Sequence, residues 1–214
     1  MKLCERENIF PNPNYCPEKW NEKLPKLENG LTGVSIIDAA NILSQKIEVD
    51  SLTGCFNRQY YENLKLHFDA KRTKNAKVAI IFIDLNGLKE INDNFGHAQG
   101  DEIICLLAFF LKMKFRKSDE IIRLGGDEFL IYCHNHDNDF QFENNLQKKV
   151  QVVQENFKKQ LQAIQIPSNG FAAGVAVFDK DIDCELDHVL QRADHLMYEN
   201  KRTMKGTIKK SVII

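Results

Sequence analysis

Three carboxylates carry the most chemistry in this sequence. Asp84 is the first acid after the six apolar residues Val78-Ala79-Ile80-Ile81-Phe82-Ile83. Asp127 and Glu128 follow Gly125-Gly126, which lies between two apolar runs in the stretch I-I-R-L-G-G-D-E-F-L-I-Y, residues 121–132. Two glycines between runs rich in β-branched and aromatic residues predict a two-residue hairpin turn. Asp127 and Glu128 then open the second strand, on opposite faces, because side chains alternate along a strand. Carboxylates at a strand end and on a neighbouring hairpin suit hard divalent cations, and magnesium keeps substrate phosphates in its shell. Two such ions could serve an in-line displacement at phosphorus. Taken by itself, the stretch fits a solvated hairpin tip equally well.

Other residues extend the pattern. Lys89, Lys201 and Lys205 are counter-charges for a polyphosphate. Lys201 and Lys205 lie one helical turn apart, where two like charges repel unless an anion sits between them. Two solvated lysines are the plainer alternative. Asn92 and Asp101 offer mixed donor and acceptor groups for a base edge. A carboxylate accepting from a ring N–H and an exocyclic amine fits guanine far better than adenine. His134 and His136 have an H-x-H spacing but lack a third ligand of fixed geometry, so they read as a solvated loop.

The elements that must hold these groups can be read in order. Residues 1–34 carry four prolines, many charges and the single tryptophan, Trp20, and read as an irregular arm. Residues 35–49 predict a short helix or linker, with Ile36, Ala40, Leu43 and Ile47 at a/d spacing. Residues 50–58 are turn-like and open a helix with Tyr61, Leu64 and Phe68 inward. Residues 78–83 form a strand apolar on both faces, hence central in its sheet. A helical turn bearing Lys89, Asn92 and Asp93 follows, and Gly96 and Gly100 bracket a loop before a buried helix from Asp101 to about Phe115. After the hairpin, Phe142, Leu146, Val150, Val153, Phe157 and Leu161 mark one face of a long helix. Gly170–Phe178 is a strand. A final helix runs from about Leu186 to Arg202, with Val189, Ala193 and Leu196 inward. The order helix, strand, helix, helix, hairpin, helix, strand, helix predicts an α+β fold, a palm or ferredoxin-like sheet sandwiched with helices.

Composition bounds the partners. The 214 residues carry a net charge of -1, so no overall basic field argues for nucleic acid. The six cysteines are scattered with no C-x-x-C pair, which suits a reducing cytoplasm. The apolar runs are far too short to span a bilayer, and no signal peptide is visible in the first thirty residues.

Five motifs in order give a resemblance: D-S-L-T-G-C-F-N-R (50–58), D-L-N-G-L-K-E-I-N-D (84–93), F-G-H-A-Q-G-D (95–101), R-L-G-G-D-E-F (123–129) and A-D-H-L-M-Y-E-N-K (193–201). The chain resembles a GGDEF domain of the diguanylate cyclase family over residues 50–206, with 207–214 as a tail. The resemblance implies condensation of two GTP into cyclic di-GMP and pyrophosphate, by a homodimer whose two sites face each other. It implies two Mg²⁺ per site, with Mn²⁺ as the alternative ion, held by Asp84, Asp127, Glu128 and the Leu85 carbonyl. Glu128 is a further metal ligand or the group that helps deprotonate the 3′-hydroxyl. Gly87 and Leu88 present backbone N–H groups to the phosphates, and Lys89, Lys201 and Lys205 bind them. Asn92 and Asp101 read guanine, and His97 counts among the substrate positions. Arg116 and Asp119 match an R-x-x-D inhibitory product site. Asn86 and Leu88 depart from the family's usual Asp and Phe, and Met204-Lys205-Gly206 from its Gly-Arg-Asn, which bears on triphosphate affinity. A catalytically weak domain that senses cyclic di-GMP or GTP is the competing expectation.

Overall fold

In a computed structural model of the chain, residues 48–68, 77–135, 140–168 and 170–211 are described, with side chains up to Thr203. The expected arm, the helix from Ser35, His136 and the Lys205 side chain lie outside the described residues. The elements are β1 (Phe56–Asn57), α1 (Arg58–Leu66), β2 (Lys77–Leu85), α2 (Leu88–Phe95), α3 (His97–Lys114), β3 (Glu120–Gly125), β4 (Glu128–Asn135), α4 (Phe142–Ala163), β5 (Phe171–Val177) and α5 (Leu186–Ser211).

The five strands form one mixed sheet in the order β1-β3-β4-β2-β5. As its two-sided apolar pattern requires, β2 is paired on both sides, antiparallel to β4 and to β5. Its residues divide by parity. Ala79, Ile81, Ile83 and Leu85 join a core with the apolar stripes of α3 and α4 and with Ile91 of α2. Val78, Ile80 and Phe82 join a second core with Tyr61 and Leu64 of α1, Phe68, and Leu186, Val189, Ala193 and Met197 of α5. Helices therefore cover both faces, and the fold is α+β as expected. Among the described residues, no helix is long and apolar enough to cross a membrane.

Several local expectations are corrected. The two turn residues of the hairpin are Gly126 and Asp127, while Gly125 pairs with Glu128. The shift arises from a bulge at Leu124, where the register slips between Arg123 and Gly125. Gly125 (φ 151°) and Gly126 (φ 48°) both take conformations that favour glycine. Glu128 alone therefore opens β4, and Asp127 sits in the turn. Asp84 does not end its strand: β2 runs on to Leu85, which is hydrogen-bonded to the turn. Gly100 lies inside the first turn of α3 rather than in a loop. On α5, Met197 is buried and Leu196 is 39% exposed, because the inward positions repeat every four residues from Val189. That helix also continues beyond Arg202 to Ser211, into the expected tail. The two-residue β1, parallel to β3, is too short to leave a periodic signal.

Candidate active site

The ladder between β2 and β4 sets Asp84 directly opposite Glu128. Directly opposed residues in an antiparallel pair project from the same face. For these two it is the face covered by α1 and α5. Asp84 is flanked on its other side by Ala172 of β5, a small residue that leaves its carboxylate room. From α5, the Lys201 ammonium is ion-paired with Asp84 Oδ1. The Asp127 carbonyl accepts the Leu85 N–H at 3.0 Å, which brings the hairpin turn onto the end of β2.

Glu128 registers this crowding. Burial pushes its pKa above an ordinary glutamate's 4.5, and the charges of Asp127 and Asp84 push it the same way. A raised folded-state pKa means that this group favours the fold at low pH, and that the contribution is lost as pH rises through the raised value. In metal-free protein the Glu128 carboxyl is expected to titrate above 4.5 by NMR, and Asp84→Asn or Asp127→Asn to bring it down. An unchanged midpoint in both variants would show that the three carboxylates do not share a field.

Next to the carboxylates, β2 turns into α2 through Gly87, which adopts a left-handed φ of 75° and caps the helix without a side-chain hydrogen bond. The first N–H groups of a helix lack intrahelical partners and carry the positive end of its dipole, so this end is suited to an anion. The turn is held from behind. The Gly170 carbonyl accepts the Asn86 N–H at 2.9 Å, and the Ser168 hydroxyl donates to the Asn86 carbonyl at 2.9 Å. A groove of about 260 Å³ opens here, lined by Leu85, Gly87, Leu88, Lys89, Asp127 and Lys201 together with Asn86, Glu90, Pro167 and Ser168. Six expected site residues thus meet in one place.

Asn92, His97 and Asp101 lie at the corner between α2 and α3, outside the lining of that groove. Arg116 and Asp119 lie before β3, at the other end of the hairpin, roughly 20 Å away at 3.3–3.4 Å per residue. Arg116 is exposed, whereas Asp119 is buried. The Asp119 carboxylate accepts the Arg116 N–H at 2.9 Å and lies 3.5 Å from Lys149 Nζ. It closes its own turn.

Sequence reasoning missed the residues that fix the hairpin. Arg123 donates from Nε (3.1 Å) and Nη2 (2.8 Å) to the Gly126 carbonyl, and from Nη1 to both Asp50 oxygens at 3.2 Å. Asp50 also accepts from the Thr53 hydroxyl (2.6 Å) and N–H (2.9 Å). Burial raises its pKa, but the Thr53 bonds and the Arg123 charge together leave it lowered. Arg58 Nε donates to the Leu124 carbonyl at the bulge, 2.9 Å away. The signal was available: Arg123 stands between the apolar residues Ile121-Ile122 and Leu124, and a charge set among such neighbours calls for a partner. Arg123→Ala is expected to keep the fold and lower activity about 10- to 100-fold by letting the turn drift. Lysine should not restore it, lacking the fork. Wild-type kcat in either variant would remove this role.

The donor set fits hard divalent cations: three carboxylates and a strand-end carbonyl within one corner of the sheet. Among the described residues, no three His, Cys, Asp or Glu side chains already stand in ligand geometry.

Residues 47–207 match the family model described as diguanylate cyclase, GGDEF domain. Diguanylate cyclase DgcP of Escherichia coli K12 is 35% identical over 165 residues, which are 74% of this chain and 46% of that protein. The chain spans about half or less of the length of the curated relatives it matches. The GGDEF domain of PA1120 (TpbB or YfiN) from Pseudomonas aeruginosa superposes with a TM-score of 0.56 at 28% identity, covering 72% of this chain and 89% of that one. The coiled coil and GGDEF domain of DgcB from Caulobacter crescentus, solved with c-di-GMP, gives a TM-score of 0.64 over 78% of this chain and 87% of that one. Its 16% identity speaks to the fold alone.

Proposed function

This chain belongs to the GGDEF, diguanylate cyclase, family, and on that premise we propose that it condenses two GTP into cyclic di-GMP with release of two pyrophosphates. The observation that carries the proposal is the meeting of Asp84, Asp127 and Glu128 with the open N-terminus of α2 in one corner of the sheet. Each protomer of a homodimer holds one GTP. The 3′-hydroxyl of each nucleotide attacks the α-phosphorus of the other, and pyrophosphate leaves.

The chain's own residues bind and orient. The α2 N-terminus, at Gly87 and Leu88, receives the phosphates, and Lys89, Lys201 and Lys205 balance their charge. Asn92 and Asp101 select guanine, with His97 beside them. Asp84, Asp127, Glu128 and the Leu85 carbonyl would hold two Mg²⁺, which would supply the positive charge that in-line displacement at phosphorus needs. Lys201, ion-paired with Asp84 in the free protein, would exchange that carboxylate for phosphate. Arg116 and Asp119 hold the product away from the catalytic corner and restrain turnover. Arg116→Ala should lift that restraint, read as the product concentration that halves the rate; an unchanged value removes the feedback assignment.

The test is pyrophosphate release from GTP. Release should require Mg²⁺, and its rate per protomer should rise with protein concentration as dimers form. A rate per protomer independent of concentration down to high dilution would contradict the need for two facing sites.

A second reading draws on the ion pair between Lys201 and Asp84, which already neutralises one of the carboxylates. On that reading the chain binds cyclic di-GMP or GTP and passes on a signal without turnover. Binding of either nucleotide with no pyrophosphate released would favour it.

A further inference from the structure

One glycine at the α2–α3 corner has no conformational reason to be glycine. Gly100 lies in the first turn of α3, and it is not among the positive-φ glycines of the chain. Alanine would favour the helix there, since glycine is a poor helix former. What distinguishes the position is its neighbour. A Cβ on Gly100 would lie 1.9 Å from Asn92 Oδ1, 3.0 Å from Asn92 Cγ and 3.2 Å from Leu88 Cδ1. Asn92 Oδ1 is itself buried and has no hydrogen-bond partner in the protein. Buried amide oxygens are usually held by a donor. This one is held by shape, against a surface that exists only because residue 100 lacks a side chain.

We infer that Gly100 is the positioning residue for Asn92, setting the amide orientation by which this chain selects guanine over adenine nucleotides. The inference rests on the assignment of Asn92 to base reading in the proposed function. Three observations meet in it: the space a Cβ would need is taken by Asn92, the Asn92 oxygen has no other anchor, and the backbone of Gly100 needs no glycine. The position is also adjacent in sequence to Asp101, the other base-reading residue.

The clash falls on the far end of a short side chain and on a leucine methyl, not on backbone. Asn92 can escape by changing rotamer, so the helix pair survives while the amide loses its orientation. A purely structural glycine predicts the reverse: a lower melting temperature with base selectivity intact.

The experiment titrates the full 214-residue chain with GDP and ADP in the presence of Mg²⁺, alongside thermal melts, for wild type, Gly100→Ala, Asn92→Ala and the double variant. Gly100→Ala should lose about tenfold in preference for GDP over ADP, the worth of one recognition hydrogen bond, with Tm unchanged or raised. Adding Gly100→Ala to Asn92→Ala should cost no further preference, because the side chain it displaces is gone. Full preference in Gly100→Ala overturns the inference while leaving the proposed function in place. So does a fall in Tm that Asn92→Ala fails to relieve, which would make Gly100 a helix contact. Absence of any preference in the wild-type chain overturns the guanine-reading assignment and this inference with it.

Discussion

Asp127→Ala is expected to remove product formation, lowering turnover about 1,000-fold or more, while the protein melts where the wild type does. The two halves of that expectation have different physical sources. Asp127 sits in the hairpin turn, and the bond that anchors it there uses its carbonyl, which accepts the Leu85 N–H. Truncating the side chain leaves that bond, the Gly126 clamp from Arg123 and the bulge at Leu124 in place. Its side chain is only half-buried, so little packing is lost. The lost carboxylate is one of three hard oxygen donors in the corner. Without it the corner would hold Mg²⁺ less well, and the positive charge that such an ion would bring to the phosphates is the kind of electrostatic stabilisation that dominates phosphoryl transfer. Steady-state GTP turnover and a thermal melt on the same preparation check both halves. Substantial residual turnover would displace Asp127 from the metal set. Asp84→Ala should match it in activity and also strip Lys201 of its partner.

Gly174→Ala should have the largest effect on stability. Gly174 is in the middle of β5, where α5 crosses the sheet. A Cβ there would meet the Ala193 carbonyl oxygen at 2.0 Å, the Met197 nitrogen at 2.4 Å and Leu196 Cβ at 2.9 Å. Two of these atoms are helix backbone and cannot step aside alone, so the whole of α5 must lift. Overpacking of this kind costs about 3 kcal/mol, which for a domain of this size lowers Tm by about 6–12 °C. The same helix carries Lys201 and is tied to the sheet by the Asn200 side-chain amide, which donates to the Ala173 carbonyl at 2.8 Å. Lifting it moves Lys201 away from Asp84, so activity should fall with stability. A variant with wild-type Tm would mean that the helix does not sit this close. Gly100 differs from Gly174 in one respect: both glycines are crowded, but Gly174 faces backbone and Gly100 a side chain that can rotate.

Much of this was legible in the sequence because it depends on local pattern. The apolar run at 78–83 identified a central strand, the stripe from Phe142 to Leu161 a helix face, and the Gly-Gly-Asp-Glu stretch a hairpin with acids. Those signals come from burial on one or two faces and from turn chemistry, which a single segment records. What stayed hidden depends on other segments. The bulge at Leu124 shifts the turn by one residue and is set by how β3 meets β4. The pairing of Asp84 with Glu128 follows from strand register, which the turn and the two cores fix together. Arg123 reaches Asp50 across 73 residues of sequence, and no periodicity encodes that. Gly100 looked like a loop residue because glycine most often marks a turn; here it marks a close approach. Lys201, expected on phosphate, is found on a carboxylate, because an ammonium and a carboxylate in one half-buried corner pair with each other.

The most direct test of the central claim is the mass of the product. Wild-type protein at high concentration, incubated with GTP and Mg²⁺, should yield cyclic di-GMP, and the Asp127→Ala variant should yield none. A wild-type reaction that leaves GTP unchanged, under conditions where the protein is dimeric, would contradict the account and leave a nucleotide-binding domain in its place.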